Sequence, residues 1–345
     1  RYKVGGKRKS LYSHTQDEAE RKLNEIMYLI STGQILVDSP KFSDYCRVWL
    51  ENHHALGRVN EKTRKRYEYN LKRASEYLGN KSLQEITADD LESMYRERLK
   101  TDSPNTVNDI HTVIKTMWKQ ALRSRKVNID VPSQCRVPSR ITSQPFLMDE
   151  DMRSKFFNAC RKEERTLDGL YFEFLYLTGM RDNVEALELT WDDINFNEGY
   201  VRVIKSKTDA GRGRIVYLQR DLLDRLKEQY DLLQLKREHG NKNYNPENYM
   251  FYNREGLRQD VNNLRSRNWK RIKERMGITS RFRMHDLRHN FCSLMLQLGH
   301  PIPQVQKMVG HANPSITMGI YTHAIPVDKD NVLDVLDKLI PSEIE

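Results

Sequence analysis

The sequence predicts a mainly α-helical fold with small β elements, in three modules: an N-terminal β-hairpin with one helix, a bundle of four helices, and a larger α+β unit. Length is the first observation behind this, because 345 residues exceed the ~100–200 of one ordinary domain. Second, apolar residues recur at spacings of three and four over most of the chain, and strand-like runs are confined to the N-terminal hairpin and to about 200–218. Third, residues 131–146 carry Pro132, Pro138 and Pro145 with little periodicity, which marks an extended linker between folded parts.

In the first module, residues 1–37, strands are expected around Tyr2–Val4 and Lys9–Tyr12, with Gly5-Gly6 as the turn. A helix begins near Thr15, sets Ala19, Leu23, Ile26 and Ile30 on one face, and ends at Gly33. Lys7, Arg8 and Lys9 gather positive charge on the hairpin. Because the chain opens inside a strand, the module is expected to lack residues upstream.

The second module, 41–130, reads as four amphipathic helices. One carries Phe42, Cys46, Trp49 and Leu50; the next carries Tyr67, Leu71, Ala74 and Leu78 and closes at Gly79. The third opens at Thr87 with Asp90 three residues on, a reciprocal cap, and continues through Leu91, Met94 and Tyr95. The fourth starts at Ser103-Pro104 and buries Val107, Ile110, Ile114, Met117 and Ala121. Its outer faces, with those of the second helix, hold Arg64, Lys65, Arg66, Lys72, Arg73, Lys115, Lys119 and Arg123, an excess of one sign that favours phosphate contact. The third module, 147–325, opens with a helix near Leu147, has an apolar helix around Leu170–Leu177 and strands near Tyr200–Ile204 and Ile215–Leu218, and is mostly helical from Leu222 to Tyr321. A tail, 326–345, places Val332, Val335, Leu336 and Leu339 on one helical face, suited to packing on its own domain or on a neighbouring protomer.

Composition narrows the function. Lys and Arg total 58 against 48 Asp and Glu, a net charge of +10, so a polyanion is expected as partner, nucleic acid ahead of a membrane surface. The 17 Tyr, 10 Phe and 4 Trp are too many for a disordered basic tail. No apolar run approaches the ~20 residues that span a bilayer, and Arg1 leads into a basic stretch, so a cytosolic protein is implied. Cys46, Cys135, Cys160 and Cys292 form no CxxC pair, which argues against a disulfide framework or a cysteine-rich zinc site. No GxxxxGK[ST] or GxGxxG run occurs, so no nucleotide cofactor is expected.

Three local patterns remain: Thr178-Gly179-Met180-Arg181 with Glu185 nearby, His285-Asp286-Leu287-Arg288-His289, and Gly310-His311 with Tyr321 ten residues on. His285 and His289 have a zinc-compatible spacing, but Arg288 would sit beside the cation and Asp286 replaces the longer Glu such a site needs. Taken in order, with a lysine in the intervening hairpin, the set resembles the catalytic domain of the tyrosine recombinase (phage integrase) family over Leu147 to Tyr321. The bundle is similar to that family's SAM-like core-binding domain, and the basic hairpin and helix to the arm-binding domain of mobile-element integrases.

The resemblance implies that Arg181 and Arg288 clamp a DNA phosphate, that His285 takes the proton of the nucleophile Tyr321, that His311 donates to the phosphate, and that Lys207, on a mobile hairpin, protonates the leaving 5′ oxygen. Lys205 competes with Lys207, and Lys-Thr before Asp209-Ala210-Gly211 is the closer match. The family's acid usually lies three residues after the first arginine, where Val184 stands; Glu185 is the alternative, reaching Arg181 across one face of a helix. The implied activity is site-specific strand exchange through a 3′-phosphotyrosine, type IB topoisomerase-like chemistry that needs neither ATP nor metal. The implied partners are double-stranded DNA at core and arm sites, a homo-tetramer on DNA, an excisionase and a DNA-bending host protein. A non-catalytic architectural or regulatory DNA-binding protein of the same fold is the alternative.

Overall fold

A computed structural model of the chain describes residues 2–4, 7–10, 12–13, 15–31, 39–55, 57 and 59–310. Gly5-Gly6, Gly33, His311, Tyr321 and the tail 326–345 therefore lie outside the described residues. The chain divides into two units, 1–143 and 144–345.

In the first unit, β1 (Tyr2–Val4) pairs antiparallel with β2 (Lys7–Lys9), Val4 opposite Lys7 and Tyr2 opposite Lys9. This moves the second strand up from the expected Lys9–Tyr12. A two-residue connection sets the register, so pairing begins at the first residue after it. Helix α1 (Gln16–Ser31) follows.

The bundle consists of α2 (Phe42–Ala55), α3 (Glu61–Leu78), α4 (Ala88–Arg98) and α5 (Pro104–Arg123). Side-chain caps fix three starts: Asn60 accepts from the Thr63 N–H, Thr87 from the Asp90 N–H, and Ser103 from the Thr106 N–H. At the α4 start Asp90 returns a bond to the Thr87 N–H at 3.0 Å, which completes the reciprocal cap. Phe42, Trp49, Leu71, Leu91, Ile110, Ile114 and Trp118 meet in one core. The segment after α5 is not wholly extended: α6 (Val131–Gln134) is a single turn capped by Asp130, with Pro132 in its first turn, where a missing N–H costs nothing. Beyond it the chain is pinned to α5 by Asn105 to the Ile141 carbonyl at 2.8 Å and by Arg140 to Asp109 at 2.8 Å.

The second unit is built round α8 (Thr166–Thr178), whose residues Leu170 to Tyr176 are all buried. Around it stand α7 (Glu150–Arg161), α9 (Arg220–His239), α10 (Val261–Asn263) leading through a π-helical turn (Leu264–Asn268) into α11 (Trp269–Arg275), then α12 (Met284–Gln297) and α13 (Ile302–Val309). A three-stranded antiparallel sheet, β3 (Ile194–Asn195), β4 (Tyr200–Arg202) and β5 (Ile215–Tyr217), closes one side. The helical run expected from Leu222 is broken between α9 and α10, where Asn245 and Asn248 take left-handed φ of 55° and 57°. Among the described residues no helix is long and apolar enough to cross a membrane.

Thr87→Ala is expected to lower stability by about 1 kcal/mol, with Thr87→Ser close to the parent. A urea midpoint unchanged in the alanine variant would contradict the cap.

Candidate active site

The site grows from the end of α8. Gly179 stops the helix at a left-handed φ of 62°, and a Cβ there would lie 2.5 Å from the Phe291 ring and 3.1 Å from Val309. Glycine alone meets both demands. The chain then leaves the helical path: the Ala186 N–H closes a turn on the Arg181 carbonyl at 3.1 Å, and Glu185 has φ −121° and ψ −69°. Arg181 and Glu185 therefore meet across a turn, not along a helical face as the sequence reading supposed. Val184 is 38% exposed, whereas Glu185 is buried, so the inward acid is the one four residues on.

Glu185 collects donors from three segments. It accepts from the Arg181 N–H at 3.0 Å, from the Arg181 guanidinium, from Ser206 Oγ at 2.6 Å and from Arg214 Nη2 at 2.7 Å, and Arg288 Nη1 lies 3.9 Å away. Burial alone would raise its pKa, yet the hydrogen bond and charge of Arg214, the Arg181 N–H and Ser206 hold it down at about 2.

Arg288 comes from α12 and is 2% exposed. It donates to the Gly179 carbonyl at 2.8 Å and to the Val309 carbonyl at 2.7 Å, so one guanidinium serves the C-terminal ends of α8 and α13. Burial first, then the Arg181 charge, lowers its pKa to about 10, which leaves it protonated at pH 7. Among the described residues three guanidinium charges share one carboxylate, which leaves two positive charges uncompensated there. That is a site for an anion.

His285 lies one turn before Arg288 on α12, with its ring edge-on to His289 at 5.0 Å between centroids. Packing around the ring, followed by the Arg288 charge, lowers its pKa, and burial followed by His285 brings His289 to about 4. Both imidazoles are therefore neutral at pH 7. Among the described residues no three His, Cys, Asp or Glu side chains gather to hold a metal. Beside His285 opens a groove of about 620 Å³, lined by Trp269 and Phe282 and by Arg265, Lys270, Lys273 and Arg281. The sequence reading missed these cations because they lie on two separate stretches.

Lys207 sits in the β4–β5 hairpin, exposed, and among the described residues it makes no side-chain hydrogen bond or ion pair. Its rival Lys205 is bound to Glu188 at 2.7 Å, which raises its pKa. Arg214 was also missed, although a signal existed: Ile215 and Tyr217 are 45% and 73% exposed while Val216 is buried, so the period-two alternation of β5 turns Arg214 inward.

The cations proposed for DNA contact in the bundle divide into two sets. Lys65, Arg66, Lys72, Lys119 and Arg123 are exposed, and Lys115 is half-buried. Arg64 is bound to Glu61 and Glu68, and Arg73 pairs with the buried Asp102, which also accepts from Arg98 at 2.7 Å. Arg73 thus departs from the expected open face, because Asp102 at the α4–α5 junction draws it inward. Lys7, Arg8 and Lys9 form β2.

The depressed pKa of Glu185 gives a pH prediction. Its stabilising contribution is complete above the unfolded carboxylate value near 4.5 and is lost as pH falls toward 2. Glu185→Gln is expected to lower stability at pH 7 by ~3 kcal/mol, a deficit that shrinks by pH 3, read by urea unfolding at both values. An equal deficit at both pH values would contradict the assignment.

The family model described as the phage integrase family matches residues 147–326, and that of the phage integrase N-terminal SAM-like domain matches 41–99. A tyrosine recombinase XerC-like protein of Caldanaerobacter subterraneus subsp. tengcongensis is 25% identical over 96% of this chain and 92% of its own. An integrase of Streptomyces ambofaciens is 23% identical over 90% and 84%. Among solved structures, the Tn1549 transposon integrase in complex with a circular intermediate DNA superposes with a TM-score of 0.69 at 16% identity, over 86% of this chain and 99% of that one. A lambda integrase tetramer bound to a Holliday junction gives 0.65 at 16% identity, over 88% and 90%. These structures share the fold, and the family match spans more than half of the sequence: the chain belongs to the phage integrase family of tyrosine recombinases.

Proposed function

We propose that the protein is a site-specific DNA recombinase of a phage or conjugative transposon, and that residues 147–325 cut and rejoin strands through a 3′-phosphotyrosine. The observation that carries this reading is the uncompensated positive charge of Arg181, Arg214 and Arg288 around Glu185, next to the neutral His285. A DNA phosphodiester under attack concentrates negative charge on its non-bridging oxygens, and guanidinium groups match that charge with fixed, permanently protonated forks. Arg181 and Arg288 are the clamp. His285, held neutral, accepts the proton of the Tyr321 phenol, which at pKa ~10 is almost fully protonated at pH 7. His311 donates to the phosphate and Lys207 protonates the departing 5′ oxygen.

The bond energy stays in the protein–DNA link, so no nucleotide or metal is required, and a 5′ hydroxyl of a second duplex reseals the strand. Two duplexes present four strands, which calls for a homo-tetramer; the relative bound to a Holliday junction is a tetramer. The bundle, 41–130, is assigned to the core site through Lys65, Arg66, Lys72, Lys119 and Arg123, and 1–37 to arm sites through Lys7–Lys9. Residues 131–146 join the modules, the tail 326–345 docks on a neighbouring protomer, and an excisionase and a DNA-bending host protein set direction.

A nicked suicide substrate carrying the attachment core is expected to trap an SDS-stable adduct that Tyr321→Phe abolishes and Arg181→Ala slows by ~10²–10³. An adduct that survives Tyr321→Phe would overturn the nucleophile. Site-specific binding without cleavage would favour the architectural reading. Affinity should fall steeply as salt rises, and the Lys72→Ala and Lys119→Ala variants should each reduce the slope of log K against log salt by ~0.9. Unchanged slopes would contradict the bundle surface assigned here.

A further inference from the structure

Arg214 adds charge to the cluster but has no bond-making or proton-transfer step in the chemistry just described, yet its side chain is only 7% exposed and it binds three separate segments. Nη2 donates to Glu185 at 2.7 Å, Nη1 to the Gly211 carbonyl at 2.8 Å, and Nε to the Met308 carbonyl near the end of α13 at 3.0 Å. A rigid fork can span such dispersed acceptors; the single ammonium of a lysine cannot.

The hairpin that Arg214 holds is the one that carries Lys207. On one side of the lysine, Ser206 donates to Glu185 and accepts from Arg181 Nη1 at 3.2 Å. On the other, Thr208 Oγ1 donates to the Gly310 carbonyl at 3.1 Å. The turn itself is seated against α13: Gly310 has φ 71°, and a Cβ there would lie 2.6 Å from the Gly211 Cα. Both neighbours of Lys207 and the turn beyond it are thus fastened, while its own side chain is exposed.

We propose that Arg214 is a positioning residue for the leaving-group proton: it fastens the Lys207 hairpin to the Arg181–Glu185 turn and to the end of α13, so that the ammonium meets the 5′ oxygen. The proposal rests on the recombinase reading. In cleavage the Tyr321 oxygen bonds to phosphorus while its proton passes to His285; the P–O5′ bond breaks with its electron pair on O5′, which takes a proton from Lys207 Nζ. Lys207 therefore assists only the leaving group. A thiol, with a pKa of ~8.5 against ~15.7 for water, leaves as a stable anion and needs no such proton.

The test compares first-turnover rate constants for adduct formation on nicked core duplexes whose scissile 5′ bridging atom is either oxygen or sulfur. Lys207→Ala should be slowed ~10²-fold on oxygen and recover to within a few-fold of the parent on sulfur. Arg214→Met is expected to follow it, slowed ~10–10²-fold on oxygen and largely restored on sulfur. Arg181→Ala should stay slow on both. Arg214→Lys keeps the charge and loses the fork, should show the same rescue, and carries the test if the methionine variant does not fold. First-turnover rate constants do not depend on the fraction of folded protein, so a poorer preparation cannot imitate rescue. Equal slowing on both substrates, or none on either, overturns the proposal. A parent protein that forms no adduct with either substrate, or an adduct that survives Tyr321→Phe, contradicts the recombinase reading instead.

Discussion

Glu185 holds together the arginine cluster that joins the end of α8, the β4–β5 hairpin and α12. A carboxylate in this position would be neutral if burial acted alone; it stays ionised because Arg214, Arg181 and Ser206 all point hydrogen-bond donors at it. The dependence runs both ways. Arg288 already feels its neighbours, its pKa drawn down by burial and by Arg181, and without the carboxylate three guanidinium groups would face one another with little water between them. Among the described residues a single negative charge keeps these cations in place, so the group still favours a further anion.

The same cations organise the end of α13. A helix leaves its last carbonyls without partners. Here those of Met308, Val309 and Gly310 are taken in turn by Arg214, by Arg288, and by Arg181 together with Thr208. The residue that follows is His311. The arrangement that gathers positive charge therefore also fixes Gly310, the residue before the proposed phosphate donor. Gly310 is needed both for its left-handed φ and for its contact with Gly211, which explains a glycine before His311 on packing grounds.

Much of this was legible in the sequence wherever a local rule acts. The Thr87–Asp90 cap, the Ser103-Pro104 start and the buried faces of α3, α4 and α5 follow from neighbours within a turn, and each lies where periodicity put it. Arg181, His285 and Arg288 follow from the resemblance to the tyrosine recombinases, which their order along the chain carries, and the fold brings Arg181 and Arg288 to one carboxylate. What could not be read depends on contacts distant in sequence. Glu185 meets Arg214 across 29 positions and Arg214 meets Met308 across 94. Arg73 looked like an open cation because nothing local marks Asp102 as its partner. The linker prolines were read for what they forbid, and the turn that Asp130 caps was missed.

The central claim is that Glu185 and Arg214 act as one unit that holds the arginines and the lysine hairpin. A double-mutant cycle on stability in urea at pH 7, built from Glu185→Gln, Arg214→Met and the pair, tests it most directly. Residues in one buried network are expected to couple by ~0.5–3 kcal/mol, here toward the upper end, the double variant losing less than the sum of the singles. Additivity to within ~0.3–0.5 kcal/mol would contradict the account.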